Sequence, residues 1–392
     1  MAHGRVRIIG MGAVSAIGAG LDATLESLRA GRSGIGDIRH CVSHLGVPVG
    51  EVDLTDMEMA RELGMEAGAH GRTTLLATMA AREAIENAGL DTVSLGKTAL
   101  ISATTTGGMR ETPLFYAPFA DDNGRGRLRH AWRHPTSNHT DEMAEALGIG
   151  GWRTTISTAC SSGANAIMTG AMMIETGMAE TVIAGGADSL CAFTLGGFNS
   201  LKILSGDACH PLSEGRDGLN LGEGAAYIVM TADDSRKATG WLSGWSNAND
   251  AHHQTAMSDE GRGCQKAMRE AMKRAKVTPA EIGYINLHGT ATPNNDATEM
   301  AAIESVWGGE MPLFGSTKGL TGHTLAAAGA LEAVFCLLGL REGVAWASAG
   351  LTTPMAGHTS ALRENKATES EYALSNSLGF GGNCTALILR KA

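Results

Sequence analysis

Residues 154–185, TTISTACSSGANAIMTGAMMIETGMAETVIAG, leave the chain few folds to choose from. A β-branched run at 154–156 breaks at Cys160 into a small-residue segment, whose apolar positions Ile167, Met168, Met172 and Met173 are too frequent for a solvated helix face. After the Gly177 stop the next strand follows at 181–184. Strand, tight turn, buried helix and strand in succession predict an α/β chain built around a covered central helix. Cys160 then lies where a strand hands over to the N-terminus of that helix. Free backbone N–H groups and the positive end of the helix dipole favour thiolate over thiol there, so the pKa is expected below the free value of about 8.5. Cys160 is placed as a nucleophile, against the ordinary reading of a free cysteine as a small buried hydrophobe.

The remaining segments repeat that logic. Residues 5–9 read as a strand feeding the glycine-rich GMGAVSAIGAG turn, and a helix is expected near 22–29. The glycine spacing is not GxGxxG, so close packing explains it better than a dinucleotide site. A one-faced helix is predicted over 73–87 and a strand over 98–103; the TTTGG that follows opens a polar excursion over 121–138. Its Arg125, Arg127, Arg129 and Arg133 read as a solvated face, or as a basic docking patch for an acidic partner. GGAD at 185–188 and the glycines at 196–197 read as loops, and RDGLNLGEG at 216–224 precedes a strand at 225–230 buried on both faces.

A helix over 264–276 and a strand over 283–287 lead to His288 in HGTATPNND, where Pro293 is expected to delay the next helix until Asp296 caps it. A strand at 312–316 then carries Lys318 and His323 into a second small-residue, nearly all-apolar helix running to 340. Strands at 372–375 and 385–389, joined through LGFGGN, close the chain. Each half thus offers strands around a buried helix with a reactive side chain at its start, which suggests internal duplication. The expected division is 1–235, carrying Cys160, and 236–392, carrying both histidines, as one integrated unit without a linker.

Composition limits function by exclusion. A formal net charge of −10 argues against a nucleic-acid surface. No apolar run reaches a membrane span, and residues 1–7 lack a signal-peptide core, so a cytoplasmic chain without membrane contact is expected. Seven scattered cysteines, none in a CxxC pair, indicate neither a disulfide framework nor a zinc cluster. No metal or cofactor is expected.

STACSSG, HGTATPNND, KGLTGHTLAAAG and NSLGFGG, in that order, resemble the β-ketoacyl-acyl-carrier-protein synthases of the type I/II ketosynthase group, from RIIGMGAVSAIG onward. RDGLNLGEGAA and HGTATPNND look like the ketosynthases of aryl polyene and related polyketide clusters. The resemblance implies a thiolase fold, two duplicated halves in a five-layer α-β-α-β-α stack. It implies Cys160 as acyl-accepting nucleophile, His288 and His323 as donors to the enolate left by malonyl decarboxylation, and Lys318 as orienting or electrostatically tuning His323. Glu332 would be a supporting carboxylate and Phe380 a gate at the acyl pocket. The amides of Cys160 and Phe380 would form the oxyanion hole.

The implied activity is 3-oxoacyl-[acyl-carrier-protein] synthesis by decarboxylative Claisen condensation in fatty acid, aryl polyene or polyketide formation, with acyl carrier protein as partner. A homodimer is expected, with a heterodimer containing a ketosynthase-like chain as the alternative. A non-catalytic chain-length-factor role conflicts with retention of Cys160, His288 and His323. A thiolase would carry a second cysteine in the C-terminal glycine turn, where this chain has Phe380. Asn383-Cys384 stands where the family commonly has Thr-Asn, and Ala326 where a glycine is usual; both are expected beside the acyl pocket and bear on substrate range.

Overall fold

Among the described residues eleven strands make one sheet, ten of them in a single path whose order explains how the two halves meet. The computed structural model describes residues 6–358 and 360–392. From one edge the strands run Leu313–Gly315, Ile282–Asn286, Tyr372–Gly379, Asn383–Arg390 and Gly240–Asn249. They continue with Val6–Ser15, Gly224–Thr231, Thr181–Asp188, Ala99–Ala103 and Arg153–Ile156, and Gly18–Ala19 folds back on the Val6–Ser15 strand. The seam between halves is short, pairing only Val6, Arg7 and Ile8 with Leu242, Trp241 and Gly240. Outward from it on either side the pairings repeat: antiparallel, antiparallel, parallel, parallel. Order and direction match strand for strand, so the expected duplication is present in the topology. Arg5, the first residue of the expected N-terminal strand, lies outside the described residues.

Side-chain alternation builds the layers. Along Gly224–Thr231, Ala225, Tyr227 and Val229 join one apolar cluster while Ala226, Ile228 and Met230 join another, because successive residues of a strand point to opposite faces. The inner cluster holds the helices Ser162–Glu175 and Ala328–Glu342; the outer clusters hold Arg72–Ala88 in one half and Arg262–Ala275 in the other. Helix, sheet, paired central helices, sheet and helix form the five-layer stack. Gly10 and Gly12 lie within the first strand rather than in a turn, and a Cβ on either would meet the Ala84 or Ala80 carbonyl at 2.3 or 2.2 Å. Their role is close helix-on-sheet approach, as expected.

Several local expectations change. GGAD ends the buried strand Thr181–Asp188, where burial and strand pairing override glycine's preference for loops, and Gly196 and Gly197 lie exposed within the helix Ala192–Ser200. Helix Pro293–Trp307 begins at the proline, which suits a first helical position, and Thr292 rather than Asp296 is its N-cap. The second central segment is not one helix: Lys318–Thr321 makes a single turn, Gly322 at φ 70° breaks it, and Ala328–Glu342 follows a short 3₁₀ turn. The helix Ser162–Glu175 buries Ile167 and Met173 but leaves Met172 47% exposed, so it has one open face. Thr112–Asp121, Leu128–Trp132 and Asn138–Leu147 give the polar excursion helical structure. Among the described residues, no helix is long and apolar enough to cross a membrane.

Candidate active site

Three turns meet at the start of the paired central helices. Each carries a non-glycine residue in the left-handed region: Ala159 at φ 53°, Ala291 at φ 64° and Leu325 at φ 52°. Such backbone costs on the order of 1–3 kcal/mol per residue and persists where the surroundings over-determine it. Here the strained residues neighbour Cys160, His288 and His323. Sγ of Cys160 and one ring nitrogen from each histidine lie within 4.8 Å of one another. This is the only such group among the described residues that could hold a metal ion. The two imidazoles stand nearly perpendicular, at 85° with centroids 5.2 Å apart.

The His288 and His323 turns are held by groups that the sequence did not single out. Glu299 accepts the amides of His288 and Gly289, both at 2.8 Å, and the Asn376 amide at 3.3 Å. His323 is clamped by the 216–224 segment: its N–H donates to the Asn220 carbonyl at 2.7 Å, and its carbonyl accepts from Gly222 at 2.9 Å. Asp188 receives the Ala326 amide at 2.8 Å and also the amides of Thr105 and Thr106. One carboxylate thereby ties the TTTGG turn of the first half to the His323 turn of the second. No spacing rule marks these two acids among the 41 acidic residues; only their burial does.

Lys318 differs from expectation in its contacts. Its ammonium donates to the His288 carbonyl at 2.6 Å and to Glu332, and lies 3.3 Å from Nδ1 of His288, not against His323. Its influence on His323 is electrostatic. An ammonium offers only hydrogens, so Nδ1 of His288 accepts and the ring proton resides on Nε2. Burial, and then the Lys318 charge, hold both histidines well below the usual imidazole range, with His323 adding to the effect on His288. Both rings are therefore neutral at pH 7. Burial pushes the Glu332 carboxyl up to about 7 against the pull of Lys318.

Cys160 reverses its expected shift. Burial pushes the thiol up to about 11, outweighing Lys318 and the Phe380 and Cys160 amides, which pull it down. The helix N-terminus is present, but the cost of desolvating a thiolate exceeds what it returns. Phe380 lines the cavity, with its amide directed at Sγ and its ring stacked on Phe198 at 5.8 Å.

The cluster opens into a cavity of about 690 Å³. Its lining mixes apolar side chains, among them Phe198, Ile203, Leu219 and Phe380, with polar ones such as Thr290, Asn294 and Thr298. Asn383, Cys384 and Ala326 do not line it. Ala326 is instead packed at the central helix crossing, its carbonyl 2.6 Å from where a Cβ on Gly163 would stand.

Comparison with known proteins gives the family. Residues 3–235 match the family described as beta-ketoacyl synthase, N-terminal domain, and residues 239–352 its C-terminal domain. The chain belongs to the β-ketoacyl synthase family. As a β-ketoacyl synthase it is an acyltransferase of the condensing type. It is 31% identical to 3-oxoacyl-[acyl-carrier-protein] synthase 2 of Staphylococcus aureus over 411 residues, covering 99% of this chain and 98% of that one. The enzyme of the same name from Vibrio harveyi is 30% identical, covering 100% and 99%. Among solved structures, the ishigamide ketosynthase/chain length factor superposes with a TM-score of 0.94 at 29% identity, covering both chains fully. The ketosynthase ApeO in complex with its chain length factor ApeC, from Xenorhabdus doucetiae, gives 0.87 at 32%, covering 100% of this chain and 98% of that one. The thiolase-type, five-layer expectation therefore holds at the level of fold and family.

Proposed function

We propose that this chain is a catalytically complete 3-oxoacyl-[acyl-carrier-protein] synthase, with Cys160 as nucleophile and His288 and His323 as the donors to the enolate. The observation that carries the proposal is the convergence of one thiol and two neutral imidazoles within 4.8 Å at a cavity lined by both apolar and polar side chains. A fatty acyl chain suits the apolar part of that lining and a pantetheine arm the polar part.

In loading, Cys160 sulfur attacks the acyl thioester carbonyl, its proton passes to a neighbouring neutral imidazole, and the carrier leaves as a thiol after taking that proton. The tetrahedral oxyanion is received by the amides of Cys160 and Phe380, each worth about 3 kcal/mol. Malonyl-carrier protein then loses carbon dioxide. The electron pair moves onto the thioester oxygen, where imidazole N–H groups stabilise the enolate. Its carbon attacks the acyl-Cys160 carbonyl, the C–S bond breaks, and 3-oxoacyl-carrier protein departs while the released Cys160 thiolate takes up a proton from solvent through the cavity. Splitting the reaction at a covalent intermediate predicts ping-pong kinetics. Residues 1–235 supply the nucleophile and 236–392 the donors, so the two halves act only together.

A second reading concerns assembly. Leu114, Tyr116, Leu128 and Trp132 are exposed on the 112–132 helices beside Arg125, Arg127 and Arg129. An apolar surface of this kind on a β-ketoacyl synthase favours a ketosynthase-like second subunit, either another copy or a chain-length-factor partner, over free solvent. Arg133 is partly used within the chain, donating to the carbonyls of Gly68 and Ala69.

The deciding experiment is intact-protein mass spectrometry after incubation with acyl-carrier proteins of varied chain length, followed by a malonyl-carrier protein chase. The expected result is one acyl adduct, absent from Cys160→Ala, that disappears with release of 3-oxoacyl product. An adduct on Cys160→Ala, or none on wild type with any donor, overturns the proposal.

A further inference from the structure

The two amides assigned to the oxyanion hole sit on turns from opposite halves of the chain, and something must fix their spacing. Cys160 precedes the helix Ser162–Glu175; Phe380 opens the turn between Tyr372–Gly379 and Asn383–Arg390. The turns touch at Gly379, where a Cβ would lie 3.0 Å from the Thr158 carbonyl, 3.2 Å from Ser161 Oγ and 3.4 Å from the Cys160 nitrogen. Beside this contact stands Asn383, which lines no part of the cavity. Its Oδ1 accepts from Ser161 Oγ at 2.6 Å, Asn165 Nδ2 at 3.0 Å and Asn247 Nδ2 at 2.8 Å. Its Nδ2 donates to Asn247 Oδ1 at 3.2 Å. The donors belong to the residue after the nucleophile, to the first turn of the nucleophile's helix, and to the neighbouring strand Gly240–Asn249.

We propose that Asn383 is a positioning residue that clamps the nucleophile turn to the Phe380 turn, and so sets the separation of the two oxyanion-binding amides. This rests on the assignment of those amides to acyl transfer above. A side-chain amide suits the task because one planar group supplies both an acceptor and donors at fixed angles. A threonine, which the ketosynthase resemblance leads one to expect here, has one oxygen on a shorter stem. It can meet Ser161 or Asn247 but not hold the whole set. Oxyanion stabilisation depends on donors placed within a few tenths of an ångström of the developing charge, so a loosened clamp costs rate rather than binding.

Removing the clamp does not strand its neighbours. Ser161 Oγ keeps the Thr158 carbonyl at 2.8 Å, Asn165 Nδ2 keeps Thr158 Oγ1 at 2.8 Å, and Asn247 Nδ2 keeps Thr385 Oγ1 at 2.9 Å. Asn383→Ala is therefore expected to fold, with its effect read in the chemistry.

The test measures acyl loading and iodoacetamide alkylation of Cys160 in wild type, Asn383→Ala, Ser161→Ala and the double variant. Alkylation consumes the same sulfur but builds no oxyanion. Asn383→Ala should lower kcat for loading by about tenfold or more, short of the 10²–10³ that loss of a whole donor costs. KM for the acyl donor and the alkylation rate should stay within about threefold of wild type. The double variant should be no slower than the slower single, because both remove one clamp, and Asn383→Thr should recover part of the loss. An equal fall in loading and alkylation, a change confined to KM, or multiplying single effects overturns the proposal. So does a lowered Tm with wild-type loading. Failure of wild type to load any donor would instead sink the assigned function, so the two failures are separable.

Discussion

Cys160 is a buried thiol held near 11 between two neutral imidazoles, and its reactivity should show it. In the free enzyme, alkylation by iodoacetamide should rise about tenfold per pH unit from 7 to 9 without a plateau, since only the thiolate reacts. A plateau near pH 7 would mean that the helix terminus outweighs burial. Lys318→Met removes a charge that pulls the thiol down and should slow alkylation at every pH in that range. The imidazoles shift oppositely: depressed pKa values keep them neutral as pH falls from 8 through 6.5, so malonyl decarboxylation should stay level there. Lys318→Met relieves part of that depression and should bring an acid limb into view. His323→Ala should impair decarboxylation more than loading; equal losses measured by carbon dioxide release and by acyl adduct would remove the division of labour. Cys160, His288, His323 and Lys318 were legible in the sequence because glycine-flanked turns marked them. Glu299, Asn220 and Asp188 were not, because each acts through a backbone amide or carbonyl brought near only by folding. The direction of the Cys160 shift was missed for a related reason: a helix start can be read along the chain, but the depth at which it is buried cannot.

At the scale of elements, the crossing of the central helices couples stability to chemistry. Gly163→Ala places a Cβ 2.6 Å from the Ala326 carbonyl and 3.0 Å from the Ala330 nitrogen, all on stiff backbone. The helices must separate, at a cost of about 1–3 kcal/mol or more. Because Cys160 and His323 precede these two helices, a fall in Tm should come with a larger fall in condensation than in alkylation. Unchanged condensation at reduced Tm would show that the turns, not the helices, set the geometry. Element types with clear periodicity, such as Arg72–Ala88 and Gly224–Thr231, were readable, with their ends displaced by a residue or so. The break at 322–324 was not, since an unbroken apolar run looks like one helix until His323 is tied to Asn220 from another segment. Pro293 and GGAD misled for the complementary reason, that proline suits a first helical turn and glycine fits a strand packed too closely for a side chain, as at Gly185, where a Cβ would meet the Ala226 carbonyl at 1.9 Å.

For the molecule as a whole, the exposed apolar side chains of 112–132 define the largest expectation. Trp132, 78% exposed, stands at the end of that segment. Trp132→Glu should shift a multimeric wild type toward single-chain mass in light scattering, with the helical circular dichroism unchanged. A wild type that is already monomeric, and that gains activity when mixed with a separately made ketosynthase-like chain, would favour the heterodimer. The duplication was suggested by two similar segments in the sequence, but the strand-for-strand symmetry was invisible because the halves share topology rather than residues.

That symmetry has a consequence for how the chain is made. The strand Val6–Ser15 is synthesised before the other described strands, yet both of its long neighbours lie more than two hundred residues later, in Gly224–Thr231 and Gly240–Asn249. Until those segments emerge, the first strand has only the two-residue return at Gly18–Ala19 and the helices to rest against. Loop-closure entropy over so long a span makes the seam a slow, late event. A nascent chain halted before residue 224 carries the nucleophile on an unfinished sheet with one edge bare, open to the pairing with other chains that native sheets are built to prevent.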